Sequence, residues 1–419
     1  MNRIEPTILH EHLDVTRRYF LQMLGSGALL AATVEADAQL RVDLPRPKGP
    51  VVDYLTRDAD FGTVERGDPL PYQQPEKKLR EIGMTRDTWK LEVVADTTTG
   101  SKVERPMTIA GGNALDFPAL MLLAEKHAVK YLKVITCNNL TSPLGIGLWE
   151  GVPLRELIWF TKPVSDIRRV TYYGHHNEDP KQMFRGSLSL GRVLEDPPGE
   201  YPVILAYKMN SEWLSGKRGG PVRMIVPEAY GFKSVKWLQR VTLTNLPGAN
   251  DTYADENNDV DSWMKTYARF VQTPETIKSG APLPISGIAQ VGISGITRVQ
   301  VSVVPTKSPM PADDPYLKSL PWQDAQILAC PQVWGGGLPA GSLPRGTIGF
   351  TPDGGFPVSW PMRYSIAHWA IAIKDLKPGS YDLRCRTIDA HGIAQPMPRP
   401  LPKSGVNYID KATVMVRSE

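Results

Sequence analysis

The chain has 419 residues, of which 41% are hydrophobic and 22% are charged, so its composition is that of a soluble globular protein with room for two domains. The formal net charge of +4 is small, and no basic run is interleaved with aromatic residues, which argues against a nucleic-acid partner. The 38 prolines and 36 glycines favour strands and loops over a helical bundle.

Residues 1–38 have the pattern of an export signal. Arg17-Arg18 directly precedes an apolar run, Tyr19 to Val34, and Ala36-Asp37-Ala38 matches an A-x-A cleavage site. The run is short and contains glycine and serine, so we expect no membrane span. These features predict a twin-arginine signal peptide and a periplasmic protein, since such signals are addresses read by a receptor. The alternative is an N-terminal helix of the mature fold.

The predicted elements that follow mix strands with a few helices. Residues 39–75 are rich in proline and lack periodicity, which predicts an extended N-terminal arm. Strands are predicted at 89–94, 131–136, 170–173, 201–207 and 224–227, and helices at 114–126 and from Leu154 onward. From about Thr273, alternating strands such as 299–304 and 380–385 are separated by turn residues, which predicts a β-sandwich. The pattern as a whole predicts an α+β fold.

Cys137 follows the predicted strand Tyr131–Thr136 and precedes a segment whose Asn138, Pro143, Gly145 and Gly147 predict a loop. A thiol at a strand end can act there as a nucleophile or as a metal ligand. The alternative is a buried structural cysteine. The glycines do not match the spacing of a dinucleotide-binding fingerprint.

The cysteine count is odd, so at least one thiol is unpaired. Cys330 and Cys385 both lie in the C-terminal part, and their pairing is left open.

A basic, glycine-containing loop lies between the predicted strands 201–207 and 224–227. Five cations lie around it within 20 residues: Lys217, Arg218, Arg223, Lys233 and Lys236. Cations beside exposed backbone amides predict a site for a phosphate or another anion. Scattered surface lysines flanking a hairpin are the alternative. Further on, the acidic segment Asp251–Asp261 is interpreted as a solvated loop, or as a contact for a basic cytochrome.

Six segments, taken in order, resemble the molybdopterin-binding domain of the sulfite oxidase family. They are Cys137, Trp149–Leu154, Gly186–Leu188, Ala206–Asn210, Gly219–Arg223 and Ser234–Leu238. The resemblance runs from about Val64 to Phe270, and Trp369 with Leu383–Asp389 resembles the immunoglobulin-like dimerisation domain of the same family. It implies a sulfite-oxidase-type molybdopterin-binding catalytic domain at 76–272, an Ig-like β-sandwich at 273–419, and a homodimer.

The resemblance also implies a molybdenum-molybdopterin cofactor and roles for individual residues. Cys137 would be the thiolate ligand of molybdenum, and soft thiolates suit such a centre. Tyr207 would donate a hydrogen bond in the active site, and Arg66 of the arm would reach the metal pocket. The cofactor would be bound by His176, Arg218, Arg223, Ser234 and Lys236. Whether Arg363 supplies a further arginine of the pocket is left open.

The activity implied is oxygen-atom transfer to sulfite or a related small sulfur compound, with electrons passed to an external c-type cytochrome. The chain departs from the family pattern at Leu140-Thr141-Ser142, where family members carry an arginine, and this predicts weak binding of sulfite. Two alternatives remain: a sulfoxide-type reductase on the same fold, and a non-catalytic periplasmic binding or scaffold protein that has lost the metal.

Overall fold

The computed structural model describes residues 54–140, 142–164, 166–254, 259–310, 312–314, 316–395, 405 and 408–418. The predicted signal peptide, residues 1–38, and the first part of the predicted arm lie outside the described residues. No helix in the described ranges is long and apolar enough to cross a membrane.

The first half of the described chain mixes helices with two sheets. Its α-helices are α1 (Glu76–Glu81), α2 (Phe117–His127), α3 (Leu154–Thr161) and α4 (Leu190–Leu194). Its strands are β1 (Lys90–Ala95), β2 (Leu115–Asp116), β3 (Val129–Ile135), β4 (Gly145–Pro153), β5 (Arg169–Gly174), β6 (Arg185–Ser189), β7 (Ile204–Met209), β8 (Glu212–Trp213), β9 (Arg223–Ile225) and β10 (Leu238–Thr244). Helix α2 begins at Phe117, three residues after the predicted start at 114, because the side chain of Asp116 caps it by accepting a hydrogen bond from the amide of Ala119 and Pro118 occupies the first turn.

One sheet has the strand order β2-β1-β10-β5-β6, and β1 and β10 are its parallel pair. The other has the order β3-β4-β7, with β8 and β9 both paired to β7. An apolar core that includes Trp89, Leu120 and Tyr172 packs the elements of this half together. The indole of Trp89 donates a hydrogen bond of 2.7 Å to the carbonyl of Leu238, so its buried polar atom is satisfied.

The loop predicted after Cys137 is shorter than expected, because β4 begins at Gly145 while residues 138–140 and 142–144 lie outside helices and strands. Gly145 and Gly147 belong to this strand, which lies between β3 and β7. A Cβ at Gly147 would lie 2.8 Å from Cγ of Met209, and one at Gly151 would lie 2.4 Å from the carbonyl oxygen of Leu205. The prediction was wrong here because these glycines allow β7 to approach closely, and local sequence does not distinguish that requirement from a turn.

The second half of the described chain is a curled sheet. Its strands are β11 (Tyr267–Gln272), β12 (Thr276–Lys278), β13 (Leu283–Gln290), β14 (Arg298–Pro305), β15 (Trp322–Ile327), β16 (Ile366–Ile373), β17 (Gly379–Ile388) and β18 (Asp410–Arg417). Their order is β11-β13-β16-β15-β14-β17-β18-β12, and β11 packs against β17 and β18 around a core that contains Trp369 and Leu383. The α+β class is confirmed, and the curled sheet is consistent with a β-sandwich.

The two halves share apolar contacts. Tyr54, Tyr230 and Met264 pack in one buried cluster with Trp334 and Tyr364. All described residues fall within one compact unit. The boundary predicted at 272/273 stays a prediction; it falls after β11, although β11 belongs to the sheet of the second half.

Candidate active site

Cys137 lies two residues after the end of β3, at a cavity. Leu132 and Val134 of this strand are fully buried, which fixes the strand end, and the chain leaves the sheet at Thr136. Cys137 is partly exposed and lines the cavity, which we call the Cys137 cavity. Among the described residues, Cys137, Cys330 and Cys385 are all free thiols, so Cys330 and Cys385 do not pair.

The walls of the Cys137 cavity come from separate parts of the chain. The arm segment Phe61–Gly67 forms one side, and the end of β5 with its two following histidines forms another. Seven of the eight predicted site residues line the cavity together: Arg66, Cys137, His176, Arg218, Arg223, Ser234 and Lys236.

The two arginines of the basic loop are buried and only partly satisfied. Arg223 donates from Nη1 to the carbonyl of Arg218 at 2.8 Å and from Nη2 to the carbonyl of Ser234 at 2.6 Å. Arg218 donates from Nη1 to the carbonyl of Gly62 at 2.8 Å, and its Nε lies 3.1 Å from Oδ1 of Asp58. Within the described residues, Nε of Arg223 and Nη2 of Arg218 have no hydrogen-bond partner. Buried guanidinium donors without acceptors are costly, and an anion would satisfy them.

The electrostatics of the cavity favour an anion as well. Burial, together with the nearby Arg223 and Arg218, lowers the pKa of Lys236 to about 7. Burial and the charge of Arg218 lower the pKa of Arg223 to about 9. Nζ of Lys236 donates to Oγ1 of Thr63 in the arm at 2.6 Å. Three basic side chains therefore line one wall of the cavity, and none of the described residues that line the cavity is an aspartate or a glutamate. A bound anion would relieve the repulsion between these cations.

His176 lies at the end of β5, with Nδ1 3.1 Å from the carbonyl oxygen of Gly174 and its ring edge-on to Tyr173. The adjacent His175 also lines the cavity, and burial lowers its pKa. No group of three or more histidine, cysteine, aspartate or glutamate side chains that could hold a metal ion occurs in the described ranges.

Tyr207 is not brought together with the other predicted residues. Its hydroxyl donates to Oε1 of Glu150 at 2.9 Å, its ring packs near Trp213, and it does not line the Cys137 cavity. The tyrosine that does line the cavity is Tyr253, whose hydroxyl accepts a hydrogen bond of 2.6 Å from Nη2 of Arg66. Sequence reasoning missed Tyr253 because it lies in the acidic segment that was interpreted as a solvated loop.

Three further cations lie near the site or were considered for it, and of these only Lys233 differs from expectation. Lys233 does not line the cavity, and it pairs with Asp251 at 2.6 Å. Arg363 donates to Oε1 of Glu200 at 2.5 Å and does not line the cavity. Arg269 of β11 donates to Oγ of Ser142, so it supplies a guanidinium beside the segment after Cys137, where the local sequence has none.

Part of the chain is similar to known proteins. Residues 80–252 match the family model described as "Oxidoreductase molybdopterin binding domain". An NADPH nitrate reductase of Beauveria bassiana is 29% identical over 164 residues, which are 36% of this chain and 18% of the relative. The catalytic subunit MsrP of the protein-methionine-sulfoxide reductase of Campylobacter jejuni is 25% identical over 248 residues, 57% of this chain and 76% of the relative.

Among solved structures, the sulfane dehydrogenase SoxCD of Paracoccus pantotrophus is similar with a TM-score of 0.53 and 18% identity, over 80% of this chain and 79% of that chain. This likeness concerns the fold. The match to the nitrate reductase of Beauveria bassiana covers less than a fifth of that protein's length.

Proposed function

Because this chain belongs to the sulfite oxidase family of molybdopterin oxidoreductases, we propose that it transfers oxygen atoms to or from a small sulfur compound in the periplasm. The chain is an oxidoreductase, and its cofactor is molybdenum-molybdopterin. The preferred direction is oxidation of sulfite or a related compound, with electrons passed to an external c-type cytochrome. The observation that carries this proposal is the convergence of one thiol and three buried or partly buried cations on the Cys137 cavity.

The residues present fit the cofactor. Nε of Arg223 and Nη2 of Arg218 are buried donors that lack an acceptor among the described residues, and Lys236 lies beside them. Guanidinium and ammonium groups of this kind bind phosphate. Arg218, Arg223 and Lys236 would hold the pterin phosphate with Ser234, and the thiolate of Cys137 would bind molybdenum. When bound, the cofactor supplies oxygen-atom transfer coupled to two electrons.

Arg66 and Tyr253 are the residues that would meet the substrate. The guanidinium of Arg66 stacks over the ring of Phe184 at 3.9 Å from the ring centroid, and it donates to the hydroxyl of Tyr253. These two contacts fix the plane of the cation in the wall of the Cys137 cavity. An anionic substrate would bind to this cation, and Tyr253 takes the hydrogen-bonding role that was predicted for Tyr207.

The choice of a sulfur compound rests on chemistry and on two similar proteins. A small oxyanion is attracted to a cavity whose charged walls are cationic. The names of two similar proteins refer to sulfur compounds, methionine sulfoxide in one and sulfane in the other. The similarity to MsrP, which extends over 76% of that protein, favours sulfoxide reduction as the second candidate. We also propose that the protein is exported by the twin-arginine route, because residues 1–38 have the pattern of such a signal.

The test is Cys137→Ser, with Cys330→Ser as the matched control. Both proteins are purified after native export, and molybdenum, pterin and sulfite-dependent reduction of a c-type cytochrome are measured. We expect Cys137→Ser to lose activity while it keeps much of the pterin, because the phosphate contacts remain, and Cys330→Ser to match the wild type. Full activity in Cys137→Ser, or no molybdenum in the wild type, would refute the proposal. Reduction of methionine sulfoxide without sulfite oxidation would select the second candidate.

A further inference from the structure

A buried ion pair lies behind the wall that carries Arg66 and Tyr253. The side chains of Lys233 and Asp251 are 1% and 3% exposed, and Nζ of Lys233 donates to Oδ2 of Asp251 at 2.6 Å. Lys233 also donates to the carbonyl of Ser187 at 2.9 Å, so it is anchored to β6. The acidic segment is therefore not solvated at Asp251, contrary to the interpretation from sequence.

The second carboxylate oxygen of Asp251 holds the backbone of the cavity wall. Oδ1 of Asp251 accepts a hydrogen bond of 3.0 Å from the amide of Tyr253. The ring of Tyr253 is edge-on to Phe184 and Phe232, at centroid distances of 5.6 and 5.3 Å. Its hydroxyl accepts from Arg66. One continuous chain of contacts thus runs from β6, through the ion pair and Tyr253, to the guanidinium of Arg66, which lines the Cys137 cavity.

Burial of an ion pair is weak support for a role in stability, because the desolvation of both charges offsets much of their attraction. Both carboxylate oxygens of Asp251 are hydrogen-bonded, so its side chain is held in one position. Lys233 fixes the carboxylate, and the carboxylate fixes the amide of Tyr253. The backbone next to the pair is held to the same strand: the amide of Thr252 donates to the carbonyl of Arg185 at 3.0 Å, and Oγ1 of Thr252 accepts from the amide of Arg185 at 2.8 Å.

We propose that the Lys233–Asp251 pair is a positioning element that sets Tyr253, and through it the guanidinium of Arg66, in the wall of the Cys137 cavity. Neither member of the pair lines the cavity, so neither touches the cofactor or substrate directly. The expected effect of removing the pair on enzyme turnover rests on the proposed function. The expected effect on the backbone of Tyr253 is independent of the proposed function, so it is measured separately.

The test compares two double variants that both remove the pair without leaving a lone buried charge. Lys233→Met/Asp251→Asn keeps a side-chain oxygen that accepts from the amide of Tyr253, whereas Lys233→Met/Asp251→Leu keeps none. The matched control is Arg192→Met/Glu228→Gln, which removes another ion pair of the same half, joined at 2.7 Å, with Glu228 buried and Arg192 partly buried; neither residue lines the cavity.

The first measurement is hydrogen exchange at the amide of Tyr253 in the full chain after export. We expect exchange at least about 10-fold faster in the leucine variant than in the wild type, a smaller change in the asparagine variant, and no change in the control. Unchanged exchange in the leucine variant, or equal loss of protection in the control, would overturn the proposal. If the leucine variant does not accumulate in the cell, the asparagine variant decides. An exchange rate at Tyr253 equal to that of the control variant would then overturn the proposal.

The second measurement separates positioning from general destabilisation. With molybdenum content equal to wild type, we expect KM for sulfite to rise about 10-fold in the leucine variant, less in the asparagine variant, and not in the control. Equal KM values in all four proteins would overturn the proposal even where exchange is altered. If the wild type oxidises no sulfite and reduces no sulfoxide, the proposed function fails, and the exchange measurement alone decides the positioning role.

Discussion

Lys236 lies beside Arg218 and Arg223 in the wall of the Cys137 cavity, so its protonation is coupled to two fixed charges. Its pKa is lowered to about 7, so the ammonium loses its proton as the pH rises through 7. Loss of that proton removes one cation from the anion site. An anion in the site stabilises the protonated form in turn, so binding is accompanied by proton uptake above pH 7.

We therefore predict that cofactor-free protein binds sulfate more weakly at pH 8 than at pH 6. Sulfate is chosen because its own charge is constant over this range. The affinity should fall by up to about 10-fold between these two pH values, because about nine tenths of the Lys236 side chains have lost their proton at one pH unit above a pKa of about 7. Calorimetry in two buffers measures both the affinity and the proton uptake. Lys236→Met should abolish the pH dependence and Lys217→Met should preserve it, whereas an unchanged dependence in Lys236→Met would contradict the assignment.

The two tyrosines give a second test at single residues. Tyr253→Phe removes the acceptor of Arg66 at the cavity, so we expect kcat/KM to fall by about 10-fold or more, with molybdenum content unchanged. Tyr207→Phe removes the donor to Glu150 outside the cavity, so activity should persist while the free energy of unfolding falls by about 1 kcal/mol. Steady-state kinetics and chemical denaturation of both proteins decide between the two. A loss of activity in Tyr207→Phe but not in Tyr253→Phe would show that Tyr207 donates the hydrogen bond in the active site, as the sequence predicts.

At the scale of elements, the cavity depends on how closely β5 approaches the segment before β10. A Cβ at Gly174 would lie 1.9 Å from the carbonyl oxygen of Lys236 and 2.7 Å from that of Trp237. Both neighbours are backbone, so they cannot rotate away as a side chain would. A side chain at Gly174 would therefore displace the segment that carries Lys236.

We predict that Gly174→Ala lowers the free energy of unfolding by about 1–3 kcal/mol through overpacking and weakens sulfate binding in the same protein. The matched control is Gly191→Ala in α4, where an added Cβ meets no atom within 4 Å and helix propensity favours alanine by about 1 kcal/mol. Denaturation curves and sulfate titrations of both variants measure the two effects. Wild-type sulfate affinity in Gly174→Ala would show that the approach of β5 does not position Lys236.

At the scale of the whole molecule, the predicted homodimer remains to be tested. The curled sheet β11–β18 follows the catalytic half, and the resemblance to the sulfite oxidase family assigns the region beyond about Thr273 to dimerisation. Two copies of one sheet in contact would form an isologous interface. Light scattering of the exported protein at micromolar concentration should give about twice the mass of one chain. A mass of one chain would refute the prediction.

Local sequence was sufficient for features that depend on neighbouring residues. The alternation of Tyr131–Thr136 predicts β3 and places Cys137 at its end, and Asp116 with Pro118 predicts the start of α2. The density of cations in the basic loop predicts an anion site, and Arg218 and Arg223 do lie together. The fold class followed from the same patterns, because mixed helical and strand periodicities and turn residues are local properties.

Only the tertiary structure decided which side chains face the cavity. Both faces of β7 are buried: Leu205 and Tyr207 pack in one apolar cluster and Ile204 and Ala206 in another. A two-residue period therefore could not show which face of β7 is turned to the site. The strand partners determine that choice, and they placed Tyr207 away from the Cys137 cavity.

The same reason explains the contacts that the sequence did not reveal. Arg269 reaches the segment after Cys137 from a strand 127 residues away, and Tyr253 meets Arg66 across 187 residues. The sequence assigned Lys233 to the anion site and Asp251 to a solvated loop, yet the two side chains are buried and paired with each other. Composition and periodicity determine which residues can form strands and bind anions. Long-range packing determines which of them meet, because the free energy of each contact depends on burial that local sequence does not encode.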